Sequence, residues 1–160
     1  MLGLALSGCA GYRLGPTMER QAGGLSIQVN PFANQTLEPR LSESVTLSLR
    51  KQLQQDGTYR LDTGKAGDII VEGSILEYDR SEVSFVPSDT LTPQDYRVRI
   101  LAHVTARERA SGRVLLDRNV SGRTTLRVGS DLTSSERQAI PLAAEDLARQ
   151  ITSLLADGEW

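Results

Sequence analysis

Between Tyr96 and Glu108 the chain alternates without a break: Val98, Ile100, Ala102, Val104 and Ala106 share one parity, and Arg97, Arg99, Leu101, His103, Thr105 and Arg107 share the other. Successive side chains of a strand point to opposite faces, so this stretch predicts a strand with one face buried and the other in water. Ala110-Ser111-Gly112 then fits a three-residue hairpin loop, its glycine taking the left-handed position of a type I turn with a G1 bulge. Matching Arg109 to Arg113 preserves the faces, because Ala106 then opposes Leu116, Ala102 opposes Val120 and Val98 opposes Thr124. A two-residue turn at Ser111-Gly112 would set apolar positions against polar ones and is rejected. In the favoured register Arg99 lies opposite Arg123. Directly opposed like charges destabilise a bare sheet, so the two side chains either splay into water or hold an anion or a partner acid between them.

The elements around this hairpin follow from the same periodicities. Leu25, Ile27 and Val29 alternate with Ser26, Gln28 and Asn30, the pattern of a half-buried strand that Pro31 stops. Leu41, Val45, Leu49 and Leu53 recur every four residues between Pro39 and Gly57, one stripe of an amphipathic helix with a glycine C-cap. Thr58 to Asp62 predicts a short strand and Thr63 to Gly67 a turn. Asp68 to Val86 predicts a long strand whose apolar parity switches between Ile75 and Leu76, which calls for a bulge near Gly73 or Glu77. Pro87 to Asp95 reads as a polar loop. A last helix begins near Thr133, where Thr133 and Glu136 have capping-box spacing. Its stripe runs through Ile140, Ala144, Leu147, Ile151, Leu154 and Leu155, with Pro141 either kinking it or marking its first turn. The expected fold is α+β, with two helices on one face of a mostly antiparallel sheet of four strands or slightly more.

With 160 residues the chain has room for one domain, and its 39% apolar and 24% charged residues exclude a disordered tail. No apolar run approaches the roughly 20 residues that cross a bilayer. The single Cys and single His leave too few ligands for a structural zinc site, so neither metal nor cofactor is expected. No Ser-His-acid arrangement suggests an enzyme, and His103 reads as a surface histidine. Glu77 and Asp79, flanked by Glu72, read as solvated acids rather than as a glycosidase pair. A net charge of −2 and seven aromatics argue against nucleic-acid binding. That total conceals a cationic segment. Residues 96–128 hold eight Arg against Glu108 and Asp117, a local +6, which leaves −8 for the rest. Arg97, Arg99, Arg123 and Arg127 fall on one sheet face, where four guanidinium groups could engage a multivalent anion. The competing reading is a charged face that merely keeps an exposed sheet soluble.

The first ten residues, MLGLALSGCA, place small residues directly before Cys9 after a short apolar run. This resembles the lipobox of bacterial lipoproteins, in which the cysteine is acylated, palmitate among the chains, and the preceding residues are removed; the alternative is a buried strand end with a free thiol. Residues 1–8 are then the remnant of a signal peptide that extends upstream, residues 9–24 a lipidated tether rich in Gly and polar residues, and residues 25–160 one domain. Three acyl chains exceed the two signals stable anchoring requires. Ala10 after the cysteine implies sorting to the outer membrane.

Taken in order, GYRLGP after the lipobox, IQVNPFANQTLEPRL, GDIIVEGSILEYDR, YRVRILAHVTARERASGRVL and LAAEDLARQI resemble the LPS-assembly lipoprotein family, LptE, over nearly the whole mature chain. The resemblance implies an outer-membrane lipoprotein on the periplasmic side that sits inside an LptD β-barrel, assists its assembly and binds lipopolysaccharide. No binding residue of the family matches a motif here. The alternative is another lipid-anchored assembly or pilot lipoprotein of similar α+β build.

Overall fold

The computed structural model describes residues 24–127 and 132–158; Cys9 and all of the tether except Gly24 lie outside them. The elements, in chain order, are β1 (Ser26–Val29), β2 (Ala33–Asn34), α1 (Leu41–Asp56), β3 (Arg60–Asp62), β4 (Ile69–Val86), β5 (Asp89–Glu108), β6 (Val114–Arg127) and α2 (Leu132–Asp157). The strands form one sheet in the order β3-β1-β4-β5-β6, with β2 pairing to β4 beyond the end of β1. The α+β class holds, but the sheet has six strands and is mixed. β1 runs parallel to both β3 and β4, and β2 parallel to β4. Helix α1 causes this, since it returns the chain so that β3 enters in the direction of β1.

Both helices pack on the same face. Leu41, Val45, Leu49 and Leu53 of α1 are buried, and Gly57 caps the helix at φ 76° with its N–H on the Leu53 carbonyl. In α2 the buried stripe is Ala139, Ala143, Ala144, Leu147, Ala148, Ile151 and Leu155, and Pro141 sits inside the helix rather than in its first turn. The backbone of α2 rests directly on β6 at Gly122, where a Cβ would overlap the Ala143 carbonyl and the Leu147 amide. Lys51 reaches Glu145 at 3.4 Å and the Tyr59 hydroxyl donates to the Leu155 carbonyl at 2.8 Å, so position rises together along both helices and they run in the same direction. No helix among the described residues is long and apolar enough to cross a membrane.

Three local expectations change. All four residues of β1 are buried, Ser26 and Gln28 included, because neighbours cover its polar side: Ser26 Oγ donates to Asp68 at 2.7 Å, and Arg109 donates to Gln28 Oε1 at 2.7 Å. The expected loop Pro87 to Asp95 is mostly strand. Val86 pairs with Asp89 across Pro87-Ser88, and register irregularities at Ser84 and Phe85 accommodate Pro93, which has no N–H for a ladder. The β5–β6 loop closes at Glu108 and Arg113, not at Arg109 and Arg113, because the Arg109 amide is taken by the Asp68 carbonyl at 2.7 Å. Gly112 keeps its left-handed φ of 71°, and a shift at Arg107 restores the expected register, with Ala106 on Leu116, Ala102 on Val120 and Val98 on Thr124. The bulge in β4 is Leu76, between Ile75 and Glu77, where the parity switch requires one.

Candidate functional site

The register of β4, β5 and β6 arranges the outward-facing side chains in rows: Ser81–Arg97–Thr125, Asp79–Arg99–Arg123, Glu77–Leu101–Ser121, Ser74–His103–Asn119 and Glu72–Thr105–Asp117. Arg127 lies at the top of the same face beside Asp95. All four arginines singled out from the sequence therefore share this face, and Arg99 does stand opposite Arg123. The face as a whole is mixed in sign, however, because β4 contributes Glu72, Glu77 and Asp79 to it. The bulge at Leu76 is what turns Glu77 and Asp79 outward, and a reading confined to residues 96–128 sees only their arginine neighbours.

The opposed pair is relieved on one side by an acid. Arg99 Nη2 lies 2.9 Å from Glu77 Oε2, one row away. Arg127 Nε lies 3.0 Å from Asp95 Oδ1, and Ser84 Oγ donates to Asp95 Oδ2 at 2.5 Å. Those hydrogen bonds, from Arg127 first and Ser84 second, hold the Asp95 carboxyl below the ordinary carboxylate value, and Asp95 in turn raises Arg127. Arg97 and Arg123 are exposed and have no carboxylate within 4 Å of their guanidinium groups among the described residues. The Arg123 backbone N–H donates to Asp146 Oδ2 of α2 at 2.9 Å. His103 lies between Asp117, 3.1 Å from Nε2, and Asn119, 3.0 Å from Nδ1. Among the described residues no three His, Cys, Asp or Glu side chains come together as metal ligands.

A second constellation lies on the helical face, beyond the end of β2. The Tyr78 hydroxyl donates to Glu136 Oε1 at 2.6 Å and Arg80 Nη1 to Glu136 Oε2 at 2.7 Å, so Glu136 ties α2 to the sheet; the Thr133 side chain of the expected capping box lies outside the described residues. Burial, then the Glu136 carboxylate, push the Tyr78 phenol far up. Arg80 also stands 5.6 Å from the Tyr96 ring centroid. Beside this cluster the first turn of α1 and the second and third turns of α2 bound a groove of about 810 Å³, lined by Pro39, Ile140 and Pro141 together with Arg40 and Arg137. Arg40 holds a left-handed φ of 66°. The sequence gives one hint of the groove, the turn-rich PFANQTLEPR ahead of α1.

The family model for LptE, described as lipopolysaccharide-assembly, matches residues 25–155. This chain belongs to the LptE family. The match spans every strand and nearly all of both helices, and it agrees with the family resemblance of the sequence segments. Solved structures share the fold at low identity. A minor lipoprotein from Acinetobacter baumannii is 14% identical over 82% of this chain and 92% of its own, with a TM-score of 0.53. A Xanthomonas campestris protein is 10% identical over 92% and 94%, with a TM-score of 0.60. A Chlamydia trachomatis protein is 11% identical over 82% and 98%, with a TM-score of 0.58. No curated protein sequence matches the chain.

Proposed function

We propose that this LptE-family chain is an outer-membrane lipoprotein, acylated at Cys9 and held on the periplasmic side, that assists assembly of an LptD-type β-barrel and delivery of lipopolysaccharide to the outer leaflet. Family membership over residues 25–155 is the observation that carries the reading. The role is one of binding and assembly, not catalysis. Lipopolysaccharide displays phosphates and acidic sugars, and Arg97, Arg99, Arg123 and Arg127 are the groups we assign to them. Arg97 and Arg123 make the first contact, because Arg99 and Arg127 already hold carboxylates. An anion seated at Arg123 also relieves its opposition to Arg99.

The test begins with the full protein, lipid anchor intact, recovered from outer membranes. An LptD-type barrel is expected to co-purify, and its absence would overturn the reading. An Arg97→Glu/Arg123→Glu variant is expected to stay folded and to keep the barrel, yet to bind lipopolysaccharide more weakly than a Lys51→Glu/Lys65→Glu variant. The parent's advantage should shrink at high salt, since exposed charges are screened over about 10 Å at 0.1 M. Unchanged lipopolysaccharide binding in the first variant would remove the arginine face from the site.

A further inference from the structure

Strand β4 outruns its neighbours on one side. β1 and β2 pair with it as far as Ile75, whose carbonyl accepts from the Gln35 amide at 3.0 Å. Past that point no described strand lies on this side, while β5 continues along the other. Val71 and Ile75 are buried, inward-facing residues, and both turn their carbonyls to this side, toward Asn30 and Gln35. In a strand the direction of a side chain fixes the direction of its backbone polar groups. Leu76 is the extra residue that resets the alternation, so beyond it Tyr78, Arg80 and Glu82 face inward and offer their N–H and C=O groups to the same side. Bonds from the Tyr78 and Arg80 side chains to Glu136 of α2 fix that orientation.

This open stretch adjoins the groove between α1 and α2, since Glu136 both lines the groove and binds Tyr78 and Arg80. Pro39, Ile140 and Pro141 give it an apolar patch among Ser44 and charged residues, and Leu37, two residues before Pro39, is fully exposed. Arg40 and Arg137 have no carboxylate within 4 Å of their guanidinium groups among the described residues, although Glu38 shares the groove. Charged residues and a bulge are common protections of an edge strand against aggregation. They do not explain a groove set beside the edge that combines an apolar patch with two arginines whose guanidinium groups have no carboxylate within 4 Å among the described residues.

We propose that an extended segment of a partner protein joins the sheet against Tyr78–Glu82, in line with β1 and β2, and sets an apolar side chain into the groove and an acidic one against Arg40 and Arg137. Backbone pairing supplies affinity in this mode, and the pocket for alternate side chains supplies selectivity. The proposal is independent of the lipopolysaccharide reading of the arginine face, which uses the opposite side of the sheet.

The experiment uses the full chain, 15N-labelled, titrated with a capped heptapeptide that alternates valine or leucine with threonine and ends in aspartate. The amides of Tyr78, Arg80 and Glu82 are expected to shift and to gain protection from exchange. A lysine-ended counterpart should bind several-fold more weakly, and Arg137→Glu should reverse that preference. Arg80→Pro removes an edge N–H that the β5 ladder does not use and should abolish binding, whereas Arg80→Ala keeps the N–H and should retain it. Should Arg80→Pro fail to fold, the Arg137→Glu reversal still decides. Binding without protection of these three amides would overturn the proposal. So would their protection in the chain alone, which would mean that its own segment fills the edge, or a response to lipopolysaccharide micelles with none to peptide, which would make the groove a lipid site.

Discussion

Asp68 and Arg109 show how single polar residues close the base of the sheet. The Asp68 carboxylate accepts both the amide and the hydroxyl of Ser26, at 2.8 and 2.7 Å, while Arg109 reaches the Gly67 carbonyl and the Gln28 side chain. The Ser26 bonds hold the Asp68 carboxyl below its ordinary value of 3.8. A carboxyl depressed in the folded state stabilises the fold when ionised, so its contribution is present above pH 4 and is lost as pH falls through and below that value. Asp68→Asn should therefore lower the denaturant midpoint at pH 7, and the gap from the parent should narrow steadily as pH falls below 4. A gap of constant size would separate stability from this ionisation. These contacts were not legible in the sequence. Ser26 and Gln28 sit on the polar parity of their strand, and the groups that bury them lie 42 and 81 residues away, beyond the reach of any local pattern.

At the scale of elements, the two helical stripes and the β5–β6 register were readable because each depends on a short repeat that burial enforces. Leu49 and Leu147 lie at the centres of their stripes and are fully buried. Leu→Ala at either should cost about 2–5 kcal/mol. Leu147→Ala should fall toward the upper end, since its backbone is seated on Gly122 and cannot move in to fill the space. Urea unfolding of the two variants measures this, and an unchanged midpoint for both would remove the helix-on-sheet packing. β2 and the start of β5 escaped the sequence reading. β2 is two residues long, too short for any period, and Pro93 marks a loop by every local rule while the partner strand β4 holds it in a ladder.

Over the whole molecule, the two ends of the β4–β5 hairpin differ. Near Val71 and Ala106 the strands are buried under the helices, whereas from Ser81 onward β4 exposes Glu82, Val83 and Phe85. Ladder amides beyond Ser81 should accordingly exchange much faster than those near Val71, because local opening there uncovers little apolar surface. Equal protection at both ends would show that something further covers the distal half. The candidate site was partly legible at this scale. Parity along two strands placed four arginines on one face, but Glu77 and Asp79 of β4 reach it only through the bulge at Leu76. Beyond the turn-rich segment ahead of α1 the groove left no trace in the sequence, because it exists only where two helices distant in sequence lie side by side.

That common direction of the helices has an electrical consequence. Antiparallel helices oppose their peptide dipoles, but α1 and α2 align them, each placing the equivalent of about half a positive charge at its N-terminus. The positive end of α1 stands at the groove beside Arg40, that of α2 lies one turn before Arg137, and the negative ends come together near Tyr59 and Leu155. The two helix backbones thus reinforce rather than cancel each other's field. An anion close to these N-terminal ends therefore meets two helix dipoles pointing the same way, an attraction that fades within about one turn of the backbone ends.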